Sequence, residues 1–143
     1  MLLKPRKSKF MKAFKPNLAM SNRNIKGCNL LYGALGFQIS DSKIITAKQL
    51  ENCRLIIRRS LGRKIPIWIR VFPHTPISKK GLSIRIGKGK GAVSEHVAAV
   101  KSGQILFEIC GLDQDYSLPS VKSLIKKLSY KLGSKIKIVF HKW

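Results

Sequence analysis

The residues best suited to chemistry are Arg85, Gly87, Lys88, Gly89, Lys90 and Gly91. Glycines at alternate positions permit positive φ and close approach of the backbone, while the lysines between them bring charge. Such a loop suits a phosphate backbone. The letters from Gly87 to Ala92 also satisfy G-x-G-x-x-A, the relaxed dinucleotide fingerprint. That motif needs a helix opening at the third glycine and a βαβ unit upstream, whereas the residues after Gly91 read as another strand. A P-loop is excluded because no Gly-Lys-Ser or Gly-Lys-Thr follows at the required spacing.

Other reactive side chains form no constellation. His74, His96 and His141 share no metal-ligand spacing. The acids Asp41, Glu51, Glu95, Glu108, Asp113 and Asp115 are scattered, so no carboxylate pair is suggested, and Ser94 with His96 lacks a nucleophile signature. Cys28, Cys53 and Cys110 are odd in number, widely spaced and without zinc spacing, and read as reduced and mostly buried. Neither an enzyme, a cofactor nor a metal site is expected.

The elements that must hold the loop come next. Ile65, Ile67, Ile69 and Val71 fall on one face by the strand period of two, with Trp68, Arg70 and Phe72 on the other. The aliphatic face should meet a core. The aromatic face has two readings, a second packed surface or a place for bases and sugars to stack. Pro73 and Pro76 predict a stiff turn, and Leu82, Ile84 and Ile86 a second strand that leads into the glycine loop and sets Arg70 and Arg85 on one polar face. Thr46 and Gln49 have capping-box spacing, and Leu50, Cys53, Ile57 and Leu61 recur at helical intervals, which predicts a helix over 47–61 ended by Gly62. Its remaining surface carries Arg54, Arg58 and Arg59, with Arg63 just beyond, and only Glu51 to neutralise them, which favours RNA contact. Strands are predicted at 97–100 and 105–110, then a helix capped by Ser117 with Val121, Leu124, Ile125, Leu128 and Leu132 on one side, and a last strand through Ile136, Ile138 and Phe140. Lys126, Lys127 and Lys131 complement that helix's dipole and are not assigned to RNA. The sum is a single α+β domain: a mostly antiparallel sheet with two helices packed on one face.

Charge selects the partner. The net charge is +23, from 29 Lys and Arg against 6 acids. Such an excess repels itself in a compact fold, so a polyanion is expected to relieve it. No run of 18 apolar residues is present, hence no membrane span, and no secretory signal is evident, which points to a reducing interior. Residues 1–26 include Lys4, Arg6, Lys7, Lys9, Lys12 and Lys15 without one acid, and read as a basic extended arm ahead of a domain over 27–143. A cleavable presequence would be basic too, but Arg-rich, Ser-rich and amphipathic, whereas lysine dominates here. A merely solvated tail remains an alternative; Phe10 and Phe14 are stacking surfaces it would not need.

Several stretches together carry a resemblance: Met1 to Phe10, Ile45 to Glu51, Ile67 to Pro73 with Pro76-Ile77, Arg85 to Gly91, and Gly103 to Glu108. In order and spacing the chain resembles the large-subunit ribosomal protein L-sixteen family (universal L-sixteen, eukaryotic L-ten-e). The resemblance implies an α+β protein without catalytic activity, seated on large-subunit ribosomal RNA among neighbouring ribosomal proteins, with no homo-oligomer. It implies that Arg85, Lys88 and Lys90 lie nearest the A-site and P-site tRNAs or the RNA that positions them, and that Lys4, Arg6, Lys7 and Lys9 hold ribosomal RNA. Beside these the basic reading places Lys12, Arg54, Arg58, Arg59, Arg63 and Arg70 on RNA. Ala92, Ser94 and His96 depart from the family's usual Asn and aromatic pair, so that part is not carried over. Met1 matches the family's mature start, which implies no import sequence. Abundant Lys and Ile, as an AT-rich genome gives, and the Gly-Gln-Ile-Leu-Phe-Glu run point to an organelle-encoded protein of the mitochondrial matrix; bacterial cytoplasm and plastid are the alternatives. The alternative function is a free-standing RNA-binding or translation-regulating protein.

Overall fold

The computed structural model describes residues 4–18, 26–62, 64–85, 87, 89–110 and 118–140. Seven strands and two helices follow in the order β1 (Leu35–Ile39), β2 (Lys43–Thr46), α1 (Ala47–Leu61), β3 (Ile67–Ile69), β4 (Thr75–Lys79), β5 (Ala92–Val100), β6 (Ile105–Ile109), α2 (Leu118–Leu132) and β7 (Ile136–Phe140). The expected α+β class holds, with every strand pair antiparallel. The expected single sheet is instead two, a four-stranded β3-β6-β1-β7 and a three-stranded β2-β5-β4. The chain crosses from one to the other at Lys101–Gln104, so the turn predicted there joins sheets rather than a hairpin. Gly103 takes φ 86° in it and donates its N–H to the Ile39 carbonyl at 2.8 Å.

Helix α1 forms as its sequence predicts. Thr46 accepts from the Gln49 N–H at 3.2 Å, the Gln49 side chain accepts from the Thr46 N–H at 3.0 Å, and Gly62 ends the helix at φ 90°. Leu50, Cys53, Ile57 and Leu61 are buried, as are Val121, Leu124, Leu128 and Leu132 of α2, and the two helices pack on each other. Ser117, the expected cap of α2, lies outside the described residues. In the four-stranded sheet Leu35 faces Ile109 and Phe37 faces Phe107, one layer of a core shared with both helices. Residues 30–33 lie flat over the opposite face, close enough that a Cβ on Gly33 would stand 2.6 Å from the Ile109 carbonyl oxygen.

The stretch before the glycine loop departs from expectation. Ile67 and Ile69 do pack against the core and Val71 is buried, but β3 and β4 belong to different sheets. Strand β4 begins inside the predicted proline turn. Pro76 is tolerated there because β4 is an edge, where a missing N–H need not break a ladder. The second strand through Leu82, Ile84 and Ile86 is not formed: Leu82 and Ile84 are exposed outside any strand, and Ile86 lies outside the described residues. Alternation alone does not make a strand of it, because a strand also needs a paired neighbour and this stretch pairs with neither sheet among the described residues.

Candidate nucleic-acid interface

The glycine loop connects β4 to β5 and turns back tightly. Gly87 and Gly89 have φ of 113° and 104°, a region that disfavours side chains. Lys80 Nζ donates to the Gly87 carbonyl at 2.8 Å and so straps the loop across its base. At its end Gly91 approaches β4 so closely that a Cβ would lie 2.6 Å from the Lys79 carbonyl oxygen. A cavity of about 570 Å³ results, lined by Lys80, Arg85, Lys90 and the glycines 87, 89 and 91. Its polar groups are ammonium, guanidinium and peptide, a set that accepts oxyanions and offers no general base. Lys88 lies outside the described residues.

The arm reaches this loop. Lys12 Nζ donates to the Lys90 carbonyl at 2.8 Å, and Lys90 Nζ returns the bond to the Ala13 carbonyl at 2.6 Å. The same ammonium sits 4.6 Å from the centre of the Phe14 ring, a cation–π contact. Lys4, Arg6, Lys7, Lys9 and Lys12 are all exposed. Arm and loop therefore form one cationic surface. Phe10, with Lys9 over its ring, and Phe14 stay exposed beside these cations.

The arginines divide. Arg58 and Arg59 are exposed at the C-terminal end of α1 with no ion-pair partner among the described residues, and Arg63 lies outside them. Arg54 is drawn inward by Glu51, with bonds of 2.5 and 3.0 Å, and its hydrogen bond outweighs the cost of burial to hold the Glu51 carboxyl below the usual range. Arg70 ion-pairs with Glu108, and only 16% of its side chain is exposed. The polar face that Arg70 and Arg85 were expected to share is thus not formed, since Arg85 stands exposed in the loop.

Glu108 is the residue sequence reasoning missed. It is wholly buried in β6, yet its carboxylate accepts the N–H groups of Leu31 at 3.1 Å, Tyr32 at 2.7 Å and Gly33 at 3.0 Å besides meeting Arg70. Burial pushes its pKa upward, but the three backbone bonds and the guanidinium outweigh that and leave it lowered. The signal was present: one of few acids stands inside the apolar run Ile105 to Ile109, and such an acid needs a cation. Cys53 is buried, and desolvation pushes its thiol up to about 12. Among the described residues no His, Cys, Asp and Glu group could hold a metal, and no helix is long and apolar enough to cross a membrane.

Known proteins are similar to this one in sequence over nearly the whole chain. The family model described as ribosomal protein L16p/L10e matches residues 5–139. The large ribosomal subunit protein uL16 of Staphylococcus aureus strain Newman is 35% identical over 138 residues, covering 96% of this chain and 92% of that protein. The same-named protein of Macrococcus caseolyticus is 36% identical over the same extent. The match runs through the arm, the glycine loop and both helices, so this chain belongs to the L16p/L10e family of ribosomal proteins.

Proposed function

We propose that the protein is a structural constituent of the large ribosomal subunit, not an enzyme, and that its arm and glycine loop bind RNA as one surface. The family match over residues 5–139 carries this reading, and the joining of Lys12, Ala13 and Phe14 to Lys90 supports it. Residues 1–26 act as the arm and 27–143 as the ribosomal-RNA-binding domain. Exposed cations of the arm, with Arg58, Arg59 and Arg63, neutralise ribosomal RNA phosphates; Arg54 and Arg70 contribute chiefly by ordering the fold. Arg85, Lys88 and Lys90, carried by Gly87, Gly89 and Gly91, face the A-site and P-site tRNAs. Neighbouring large-subunit proteins complete its surroundings, and the protein is a single copy there. The similar proteins named above are bacterial; the composition supports placing this one on a mitochondrial ribosome in the matrix.

If about ten cations meet phosphates, affinity for ribosomal RNA falls on the order of 10³ to 10⁵ fold between 50 and 200 mM salt. The protein should sediment with large subunits after moderate salt washing; a mainly free pool overturns the assignment in favour of a regulator. Changing Arg85, Lys88 and Lys90 together to Ala is expected to spare assembly and slow tRNA accommodation. Ribosomes carrying the triple change and translating normally would remove the loop's role. Organelle fractionation decides the compartment.

A further inference from the structure

Outside the basic surface a second feature is built to meet RNA. Tyr32 stacks on Trp68 with ring centres 6.1 Å apart and planes 25° from parallel, and the Arg70 guanidinium lies 5.4 Å from the Tyr32 ring centre. Glu108 fixes this group from beneath, gripping three consecutive backbone N–H groups at Leu31, Tyr32 and Gly33 and the guanidinium together. Yet Tyr32 is 59% exposed and Leu31 66%, so a rigidly held apolar group faces outward. We propose that Tyr32, backed by Trp68 and Arg70, is a stacking platform for an unpaired nucleobase of RNA.

The chemistry selects that ligand step by step. Arg70 is matched by Glu108, so the platform has no free charge and is not a phosphate trap. A fixed aromatic surface with a cation behind it suits a flat neutral ring. The net charge of +23 makes a polyanion the macromolecule able to bring that ring. A polyanion that carries flat neutral rings is a nucleic acid, and only unpaired bases offer their faces. The ordering of Tyr32 is already complete in the folded protein, which lowers the cost of stacking. The inference rests on the proposed ribosomal RNA binding and adds to it a base contact away from the phosphate-binding loop.

The test uses the full chain with Trp143→Phe, which leaves Trp68 the sole tryptophan, and two probes: an adenine-only RNA strand and an RNA duplex of equal length. Tyr32→Ala is expected to weaken single-strand binding about tenfold, within the range for loss of one stacked base. Duplex affinity and the salt dependence should be unchanged, because no phosphate contact is removed. Tyr32→Phe should bind as the parent does, and Trp68 emission should change on single-strand binding in the parent but not in Tyr32→Ala. Equal affinity of Tyr32→Ala and parent for the single strand, or an equal loss on the duplex, overturns the proposal. Should Tyr32→Ala fail to fold, Tyr32→Leu replaces it, and a Leu variant that binds as well as the Phe variant overturns the proposal too. A parent that binds neither RNA at low salt overturns the ribosomal RNA reading itself, a separate outcome.

Discussion

Replacing Glu108 by Gln keeps the shape of the side chain and removes its charge. All its partners are donors: the N–H groups of Leu31, Tyr32 and Gly33, and the Arg70 guanidinium. A glutamine keeps one acceptor oxygen and adds an amide nitrogen that meets only other donors, while Arg70 is left with a mostly buried, unpaired charge. Breaking a buried pair from one side costs about 3–5 kcal/mol. For a domain of this size each kcal/mol moves the melting temperature by roughly 3 °C, so Glu108→Gln should lower it by about 10–15 °C at pH 7. The double change Glu108→Gln with Arg70→Leu should recover a large part of that loss, because it removes the stranded charge. Acid gives a second signature. The folded carboxyl sits below its ordinary value of 4.5, so its contribution is complete above that value and is lost as pH falls through the folded one. Parent and Glu108→Gln should therefore draw progressively closer in stability as pH falls below 4.5. Thermal unfolding followed by circular dichroism across pH reads both effects. A drop under about 3 °C at pH 7, or a gap that persists unchanged in acid, would refute the clamp.

Three further outcomes follow from other parts of the fold. Thr46→Ala removes the α1 cap and should cost about 1 kcal/mol, measurable in urea unfolding with an unchanged slope. Gly91→Ala forces a Cβ against the Lys79 carbonyl; a loss of about 1–3 kcal/mol is expected, with faster tryptic cleavage at Lys79 and Lys80. Cys53, pushed up to about 12, should react with iodoacetamide at pH 8 on the order of 10³ fold more slowly than an ordinary thiol, as mass spectrometry of peptides from the native protein would read.

Local rules made some elements legible and left others hidden. Helix α1 could be placed because its cap, apolar spacing and stop signal all act within a few residues. The last strand and the apolar side of α2 were legible for the same reason. The division into two sheets was not, since alternation tells which face a residue takes and never which strand it pairs with. Strand β4 was obscured by Pro76, acceptable only because the strand is an edge. Strand β5 starts at Ala92, earlier than its apolar part suggests, because its first residues pair with β4 on an exposed margin. For the candidate interface, the sequence offered the cations of the arm and loop as candidates, but not that Lys12 and Lys90 meet, a pairing across 78 positions. Arg70 was assigned outward because alternation gives it a polar face; its acidic partner on β6 could not be seen locally.

The bonds from Lys12 to the Lys90 carbonyl and from Lys90 to the Ala13 carbonyl use peptide acceptors because hardly any acids are available. A carbonyl carries only a partial charge, and either ammonium gains more from a phosphate oxygen. On the proposed RNA-binding reading, these carbonyls are stand-ins that keep the two lysines pointed and the segments in register before RNA arrives. When it does arrive, the exchange of one acceptor for a better one releases no buried acid, and hence takes up no proton in the neutral range.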